Sequence, residues 1–343
     1  MTPTERNRLY KLIDDACTNK QIRALLRAKK LDDKKVRVSG TSPDLMRHLK
    51  EAYDRGVLRE DELIQLLAGG EENGRQHIFF YRPRQQARAH YKDVRLLRQK
   101  LIRETGINAA RLPHFVLDPT ERTLSDIRLE PLPNDDFNLI VKWYSGRTIE
   151  RFVSKETFKR HGETFVRRIV KIDNIRLVSM VRYLPRGLLE IRVPTGERES
   201  RKTCLKERDE IRQIIGGIFD PDHFIPLHLT KAMRWLVTNN GRSRTKHRIS
   251  AAQAADGEAR AEFNPAMEGE DLFASARHRE AMKEYEDYAG LDVYWQPSLR
   301  AEDVDDETRC QIAVYERHGI RLGAKRTVGE VDFVVNRLWE LSK

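Results

Sequence analysis

The spacing of apolar residues changes along this chain, and that change constrains the fold more than any other feature. Across residues 1–75 they recur at intervals of three and four, which places them on one face of a helix. Between residues 113 and 200 the chain instead contains short runs rich in Val, Ile, Phe and Tyr, separated by turn residues, a pattern typical of antiparallel strands. The sequence therefore predicts an α+β fold that begins with an all-α part.

The N-terminal part reads as a bundle of short helices. Ser42 and Pro43 resemble the start of one of them, and Gly69-Gly70 resembles the end of the last. The polar, glycine-rich segment 69–76 indicates a domain boundary. We predict a helical interaction domain over 1–75 and a mainly antiparallel α+β region over 76–343, with a possible subdivision near 200–260.

The second region is predicted to alternate strands and helices. A strand at 77–81 precedes a long helix over 84–105, which carries a basic stripe beside an apolar one. Turn residues at 173–174 predict a hairpin between strands 164–172 and 175–183. The other predicted strands are 114–117, 137–144, 188–193, 259–263, 291–295, 311–316 and 320–322, and the other predicted helices are 199–215, 230–238, 270–288 and 328–341.

Charge is distributed unevenly. The chain has 64 Lys and Arg against 53 Asp and Glu, a net charge of +11. Residues 82–112 carry 9 basic against 2 acidic residues and residues 139–212 carry 19 against 10, whereas residues 258–343 carry 12 against 19. A basic middle favours a polyanionic partner such as nucleic acid. In the alternative interpretation, the acidic C-terminal third neutralises the basic middle within one fold.

The candidate nucleic-acid-binding residues are therefore arginines and lysines that cluster in this middle region. No acidic residue interrupts 242–248, where basic residues alternate and could lie against successive phosphates. The full candidate set is Arg84, Arg88, Lys92, Arg95, Arg147, Arg151, Lys159, Arg160, Arg167, Arg168, Arg242, Arg244, Lys246 and Arg248.

Patterns that carry catalysis or cofactors are not found in the sequence. It has no phosphate-binding loop, no dinucleotide-binding glycine pattern and no paired Cys-x-x-Cys, so we expect no cofactor, no metal and no catalytic residues. The nearest approaches to a metal or nuclease site are two groups that read better as a turn and an exposed helix face: Asp220, Asp222, His223 and His228, and Glu330, Asp332, Glu340 and Lys343.

Three widely spaced cysteines argue against a disulfide framework and indicate a reducing, intracellular compartment. No apolar run approaches the length of a membrane span, so we expect no membrane partner.

The helical part resembles the death-fold adaptor superfamily, which includes pyrin and effector-associated domains. The residues that carry this resemblance are 12–13, 22–27 and 63–67. A bundle of five or six such helices ahead of a basic α+β region is similar in architecture to the CENP-N kinetochore family, in which a pyrin-like domain precedes a curved sheet. The resemblance implies a DNA-binding scaffold with a protein-interaction head, and it transfers no site residue.

We therefore predict a non-catalytic scaffold or adaptor that contacts nucleic acid through its phosphates, with double-stranded DNA as the expected target. A protein partner, or a second copy, is expected to bind residues 1–75. Two alternatives remain open: a metal-dependent nuclease, and an oligomerising protein scaffold that does not bind nucleic acid.

Overall fold

The computed structural model describes the chain in eleven segments. They are 1–132, 136–161, 163–195, 201–239, 247–256, 259–263, 271–272, 276–283, 287–295, 308–312 and 317–343. The helices within them are α1 (Pro3–Ala16), α2 (Asn19–Asp32), α3 (Ser42–Asp54), α4 (Glu60–Glu72), α5 (Val94–Thr105), α6 (Arg201–Ile214), α7 (Thr230–Asn239), α8 (Ala276–Lys283) and α9 (Val328–Ser342). None of these helices is long and apolar enough to cross a bilayer.

The strands form one antiparallel sheet, so the protein has the expected α+β fold. They are β1 (Gln76–Pro83), β2 (Thr123–Pro131), β3 (Phe137–Arg160), β4 (Glu163–Leu184), β5 (Leu188–Pro194), β6 (Phe224–Pro226), β7 (His247–Asp256), β8 (Ala259–Phe263), β9 (Asp287–Trp295), β10 (Thr308–Ile312) and β11 (Gly319–Leu322). Their order is β2-β3-β4-β5-β1-β11-β10-β9-β7-β8, and β6 pairs with β1.

Strand β1 joins the two halves of this sheet, because it pairs with β5 on one side and β11 on the other. Its side chains alternate between two apolar cores. Ile78 and Phe80 belong to the core under α7 and α9, and Phe79 and Tyr81 belong to the core under α5 and α6. A strand buried on both faces needs apolar residues at consecutive positions, which explains the run from 78 to 81.

Helices α1–α4 surround a third core. The bundle thus contains four α-helices within residues 1–72, fewer than the five or six that the resemblance implied. Local caps define several helix starts: Thr2 and Glu5 form a capping box at α1, and Thr18 and Gln21 form one at α2. The boundary predicted near residue 75 falls between α4 and β1.

The prediction that Gly69-Gly70 ends the last helix of the bundle was wrong, because α4 continues to Glu72. Gly70 is needed for packing instead. A Cβ placed there would lie 2.6 Å from Sγ of Cys17 and 3.1 Å from the carbonyl of Ala16 in α1, whereas a Cβ at Gly69 would meet nothing within 4 Å. The glycine therefore allows α1 and α4 to approach closely.

This difference gives a matched pair of variants. Gly70→Ala is expected to lower the free energy of unfolding by about 1–3 kcal/mol through overpacking. Gly69→Ala is expected to raise it by roughly 0.5–1 kcal/mol, because alanine favours the helix and has room. Urea unfolding of both variants checks this, and equal effects of the two substitutions would contradict the close approach.

Three predicted elements differ from the structure. The helix predicted over 84–105 is divided into a 3-10 helix (Gln85–Tyr91) and α5. The division occurs because Asp93 starts a new helix: its carboxylate accepts hydrogen bonds from the backbone N–H groups of Arg95 and Leu96. Residues 114–117 are not a strand, and the strand in this part of the chain is β2. The predicted helix 270–288 is confined to α8 where it is described, and its last residues lie in β9.

A buried network of charged groups joins the bundle to the sheet. Glu72 on α4 accepts hydrogen bonds from Arg128 of β2 at 2.6 Å and from Lys142 of β3 at 3.1 Å. The preceding residue, Glu71, lies 3.0 Å from Nε of Arg176 of β4. Side chains of Glu71, Lys142 and Arg176 are at most 8 % exposed, so these charges compensate one another away from water.

The two glutamates are affected differently by their surroundings. Burial raises the pKa of Glu71, although Arg176 and Lys142 oppose this effect. Burial also acts on Glu72, but Lys142 and Arg128 outweigh it and hold the pKa of that carboxyl below its usual value. The charged form of Lys142 is favoured as well, since Glu72 and Glu71 outweigh the effect of burial and raise its pKa. The folded state therefore favours ionised Glu72 more strongly than ionised Glu71.

Neutralising each glutamate tests this difference. Glu72→Gln is expected to lower the free energy of unfolding by about 1–3 kcal/mol at pH 7, and Glu71→Gln by clearly less. A carboxyl whose pKa is lower in the folded state contributes stability above its unfolded pKa and loses it as the pH falls. The deficit of Glu72→Gln should thus shrink as the pH drops below about 4.3. Unfolding curves from pH 7 to pH 3 measure this difference in free energy between the variant and the unmodified protein. A difference that does not depend on pH would contradict the lowered pKa of Glu72.

Candidate nucleic-acid interface

Strands β3 and β4 continue well beyond their neighbours in the sheet. β2 pairs with β3 only as far as Tyr144, and β5 pairs with β4 only as far as Met180. Beyond these points the two strands pair with each other from Gly146 and Arg176 to Arg160 and Glu163. We call residues 147–160 and 163–175 the arm. At about 3.3 Å per residue it is roughly 40 Å long.

The arm corrects the prediction of a hairpin turn at 173–174, which was wrong. Both residues lie inside β4, where Asp173 pairs with Ile149 and Asn174 pairs with Thr148. The side-chain oxygen of Asn174 also accepts a hydrogen bond from the Thr148 hydroxyl at 2.9 Å. The connection between the strands comes at the far end of the arm, after Arg160.

One face of the outer arm is cationic. Lys155 and Arg168 are directly opposite each other, and Lys159 lies on the same face nearer the tip. All three side chains are exposed, and among the described residues none of them forms an ion pair. The other residues of this face between these positions are Thr157, Thr164 and Val166. We call this face, formed by residues 155, 157, 159, 164, 166 and 168, the cationic face.

The remaining candidates of the arm occupy the opposite face. In the strand register, the cross-strand neighbour of Arg160 near the tip is Glu163, that of Arg167 is Glu156 and that of Arg151 is Lys171, although the side chain of Arg151 lies outside the described part. Arg147 is at the base of the arm and is partly buried. In the outer part of the arm, Glu163 and Glu156 balance Arg160 and Arg167, so there this face is less positive than the cationic face.

The candidates at 84–95 lie at the other end of the sheet. Arg95 lies 4.8 Å from the ring of Phe137, the first residue of β3, and Nε of Arg84 donates to the backbone carbonyl of Asp222 at 2.9 Å. Arg88 and Lys92 are exposed. Phe137 precedes Arg147 by ten positions on one strand, roughly 33 Å, so the structure does not bring this group together with the arm.

Most of the candidates at 242–248 lie outside the described residues: Arg242, Arg244 and Lys246. Arg248 lies in β7, but its side chain is not described. Following the antiparallel pairings, β7 begins at the end of the sheet from which the arm projects, six strands away from β4.

The base of the arm contacts the helical bundle. Arg8 of α1 donates to the backbone carbonyl of Asn174 at 3.0 Å and pairs with Asp118 at 3.1 Å. Gly146 lets the loop around Pro119 lie directly against β3, since a Cβ there would come within 1.8 Å of the Pro119 carbonyl oxygen. These contacts hold the base of the arm against the bundle and the loop, and the same residues line a cavity of about 210 Å³.

The acidic and histidine candidates have structural roles where they are described. Asp220 caps the short turn Pro221–His223 by accepting from the N–H of Asp222 at 2.8 Å, and Nδ1 of His223 lies 2.8 Å from the hydroxyl of Tyr91. On α9, Glu330 forms a capping box with Thr327, and Asp332 pairs with Arg182. Among the described residues, no group of three or more His, Cys, Asp or Glu could hold a metal ion.

Aromatic and aliphatic side chains of the arm were not recognised from the sequence as part of the site. Phe158 and Phe165 are exposed and their rings stack at a centroid distance of 5.7 Å. The available signal was the presence of two runs of similar length, 147–160 and 163–175, each mixing basic with aromatic or β-branched residues around His161.

No model of a known protein family matches the chain, and no curated protein is significantly similar to it. Functional assignment therefore rests on the residues described above.

The junction at the base of the arm can be tested through its glycine. Gly146→Ala is expected to lower the free energy of unfolding by about 1–3 kcal/mol, because the loop at Pro119 must move. Gly323→Ala is the control, since its Cβ would meet nothing within 4 Å. Hydrogen exchange should increase in residues 115–122 of the Gly146 variant only, and unchanged exchange there would contradict the close contact.

Proposed function

We propose that this protein is a nucleic-acid-binding scaffold that contacts the phosphates of double-stranded DNA through the arm. The observation that carries the proposal is the cationic face: three exposed basic side chains, Lys155, Lys159 and Arg168, with no acidic residue between them on that face. Duplex DNA carries one negative charge per about 1.7 Å of its axis, so a projecting cationic ribbon matches it in charge.

The shape of the arm supports the same partner. A two-stranded β-ribbon fits into a DNA groove. The outer backbone edges of the arm have no strand partner in the described structure, yet they carry charged residues and a bulge between Phe152 and Ser154. Charges and bulges on edge strands oppose pairing with strands of other proteins. These features favour nucleic acid over a protein strand.

The alternatives have less support. Of the carboxylates that suggested a nuclease, Asp332 pairs with Arg182 and Glu330 caps α9, and in the group that suggested a metal site Asp220 caps a turn. Association through residues 1–75 stays a prediction, and among the side chains described in that part of the chain Met1 is the exposed large apolar one. We therefore assign DNA binding to the arm and propose no apolar docking surface on the bundle.

The cationic face is tested by changing Lys155, Lys159 and Arg168 together to Ala. Affinity for a labelled 30-base-pair duplex should fall at least about tenfold at 0.15 M salt, and the slope of log K against log [salt] should become shallower by about three, because each phosphate contact releases counterions. Fluorescence anisotropy at several salt concentrations, with and without Mg²⁺, measures both quantities, and gel analysis reports whether the DNA stays intact.

A matched control separates the arm from net charge. Arg27, Lys34 and Lys35 are exposed in the bundle, and changing them to Ala removes the same charges. This control should bind almost like the unmodified protein. If both triple variants lose the same DNA affinity, overall charge alone explains the effect. Undiminished binding by the arm variant would contradict the assignment of the binding site to the cationic face. Cleavage of the duplex that depends on Mg²⁺ would instead favour the nuclease.

A further inference from the structure

Exposed apolar side chains are concentrated on the arm. Of the eleven large apolar side chains that are exposed in the described part of the chain, seven lie there. They are Phe152, Val153, Phe158, Phe165, Val166, Val170 and Ile172. Leaving these groups in water is unfavourable, and a concentration of them on one projecting element indicates a contact surface.

Two of these residues form an exposed aromatic pair near the tip. Phe158 and Phe165 are directly opposite each other on the face away from Lys155 and Arg168. Their side chains are 47 % and 40 % exposed, and their rings are nearly parallel, at an interplanar angle of 17°. Neither residue belongs to any of the three cores.

The charges around the pair define what this face can contact. Arg160 and Arg167 flank it, and each has a glutamate, Glu163 or Glu156, as its cross-strand neighbour. Around the pair this face is therefore close to neutral, whereas the cationic face is positive. In a DNA groove the base edges form the floor and the phosphates stand along the rims, about 7.5–8.5 Å higher. A neutral aromatic face suits the floor, and a cationic face suits the level of the rims.

We infer that the Phe158–Phe165 pair inserts at a base step of the duplex, so that the protein recognises DNA that is bent or already unstacked. This inference rests on the proposed function and adds the form of DNA that the arm selects. Architectural proteins use apolar side chains as wedges in this way: partial unstacking is unfavourable, but it kinks the duplex and lets more of it contact the protein.

The experiment compares two duplexes of one sequence with the full chain. One is fully paired and carries 2-aminopurine at its centre and a dye pair at its ends, and the other contains a central two-base mismatch. The unmodified protein should increase 2-aminopurine fluorescence, shorten the end-to-end distance and bind the mismatched duplex roughly fivefold more tightly or better, because the mismatch reduces the cost of unstacking.

Phe158→Ala with Phe165→Ala should abolish the fluorescence change, the bend and the preference for the mismatch, while salt-dependent binding remains. Phe152→Ala is the matched control, an exposed phenylalanine of the same arm on its other face, and it should behave like the unmodified protein. Thermal unfolding and light scattering on all variants report whether the fold and the oligomeric state change.

The outcomes are distinguishable. Binding of DNA without unstacking or bending would overturn the inference and leave the proposed function intact. If the double variant still unstacks and bends the duplex, Phe158 and Phe165 are not the inserting residues and the inference is overturned. No binding by the unmodified protein would refute the proposed function and this inference together. An oligomer that the double variant dissociates, with unchanged DNA behaviour, would assign the pair to a second copy of the chain and overturn the inference.

Discussion

The rest of the structure depends on the group of buried charges between α4 and the sheet. Glu71 and Glu72 end a helix of the bundle, and Arg128, Lys142 and Arg176 reach them from three consecutive strands. A buried charge without a partner is costly, so each of these residues depends on its partners being in place. Arg176 also stacks on Phe115 and Tyr144, at 4.5 and 3.7 Å from their ring centres. The same network therefore orders the bundle, the loop before β2 and the root of the arm.

The arm, unlike this network, depends on the rest of the sheet for its stability. An isolated two-stranded ribbon is at best marginally stable in water. This ribbon continues two strands that are held on both sides inside the sheet, so its register is set by the buried pairs below it, such as Val141 with Val181. Its own side chains consequently remain available for binding rather than for folding.

Local features of the sequence were sufficient to predict much of the fold. Apolar spacing predicted a bundle of short helices in residues 1–75, Ser42-Pro43 predicted the start of α3, and the double-sided burial of β1 is visible in its continuous apolar run. The arm was not predicted, because Asp173 and Asn174 have the local preferences of a turn, whereas pairing with β3 decides their conformation. The buried charges were also missed, since a lysine such as Lys142 looks like a surface residue until its partners, seventy positions away, are known.

The contacts at the root of the arm have a mechanical consequence. Arg8 joins α1 to Asn174, and Gly146 allows the loop at Pro119 to lie against the opposite strand. A paired ribbon roughly 40 Å long that is held at one end acts as a lever. A small rotation at the root moves the tip through a much larger distance, and a force at the tip is carried back as torque to the helices of the bundle. Whatever the tip contacts is thus mechanically linked to the N-terminal helices.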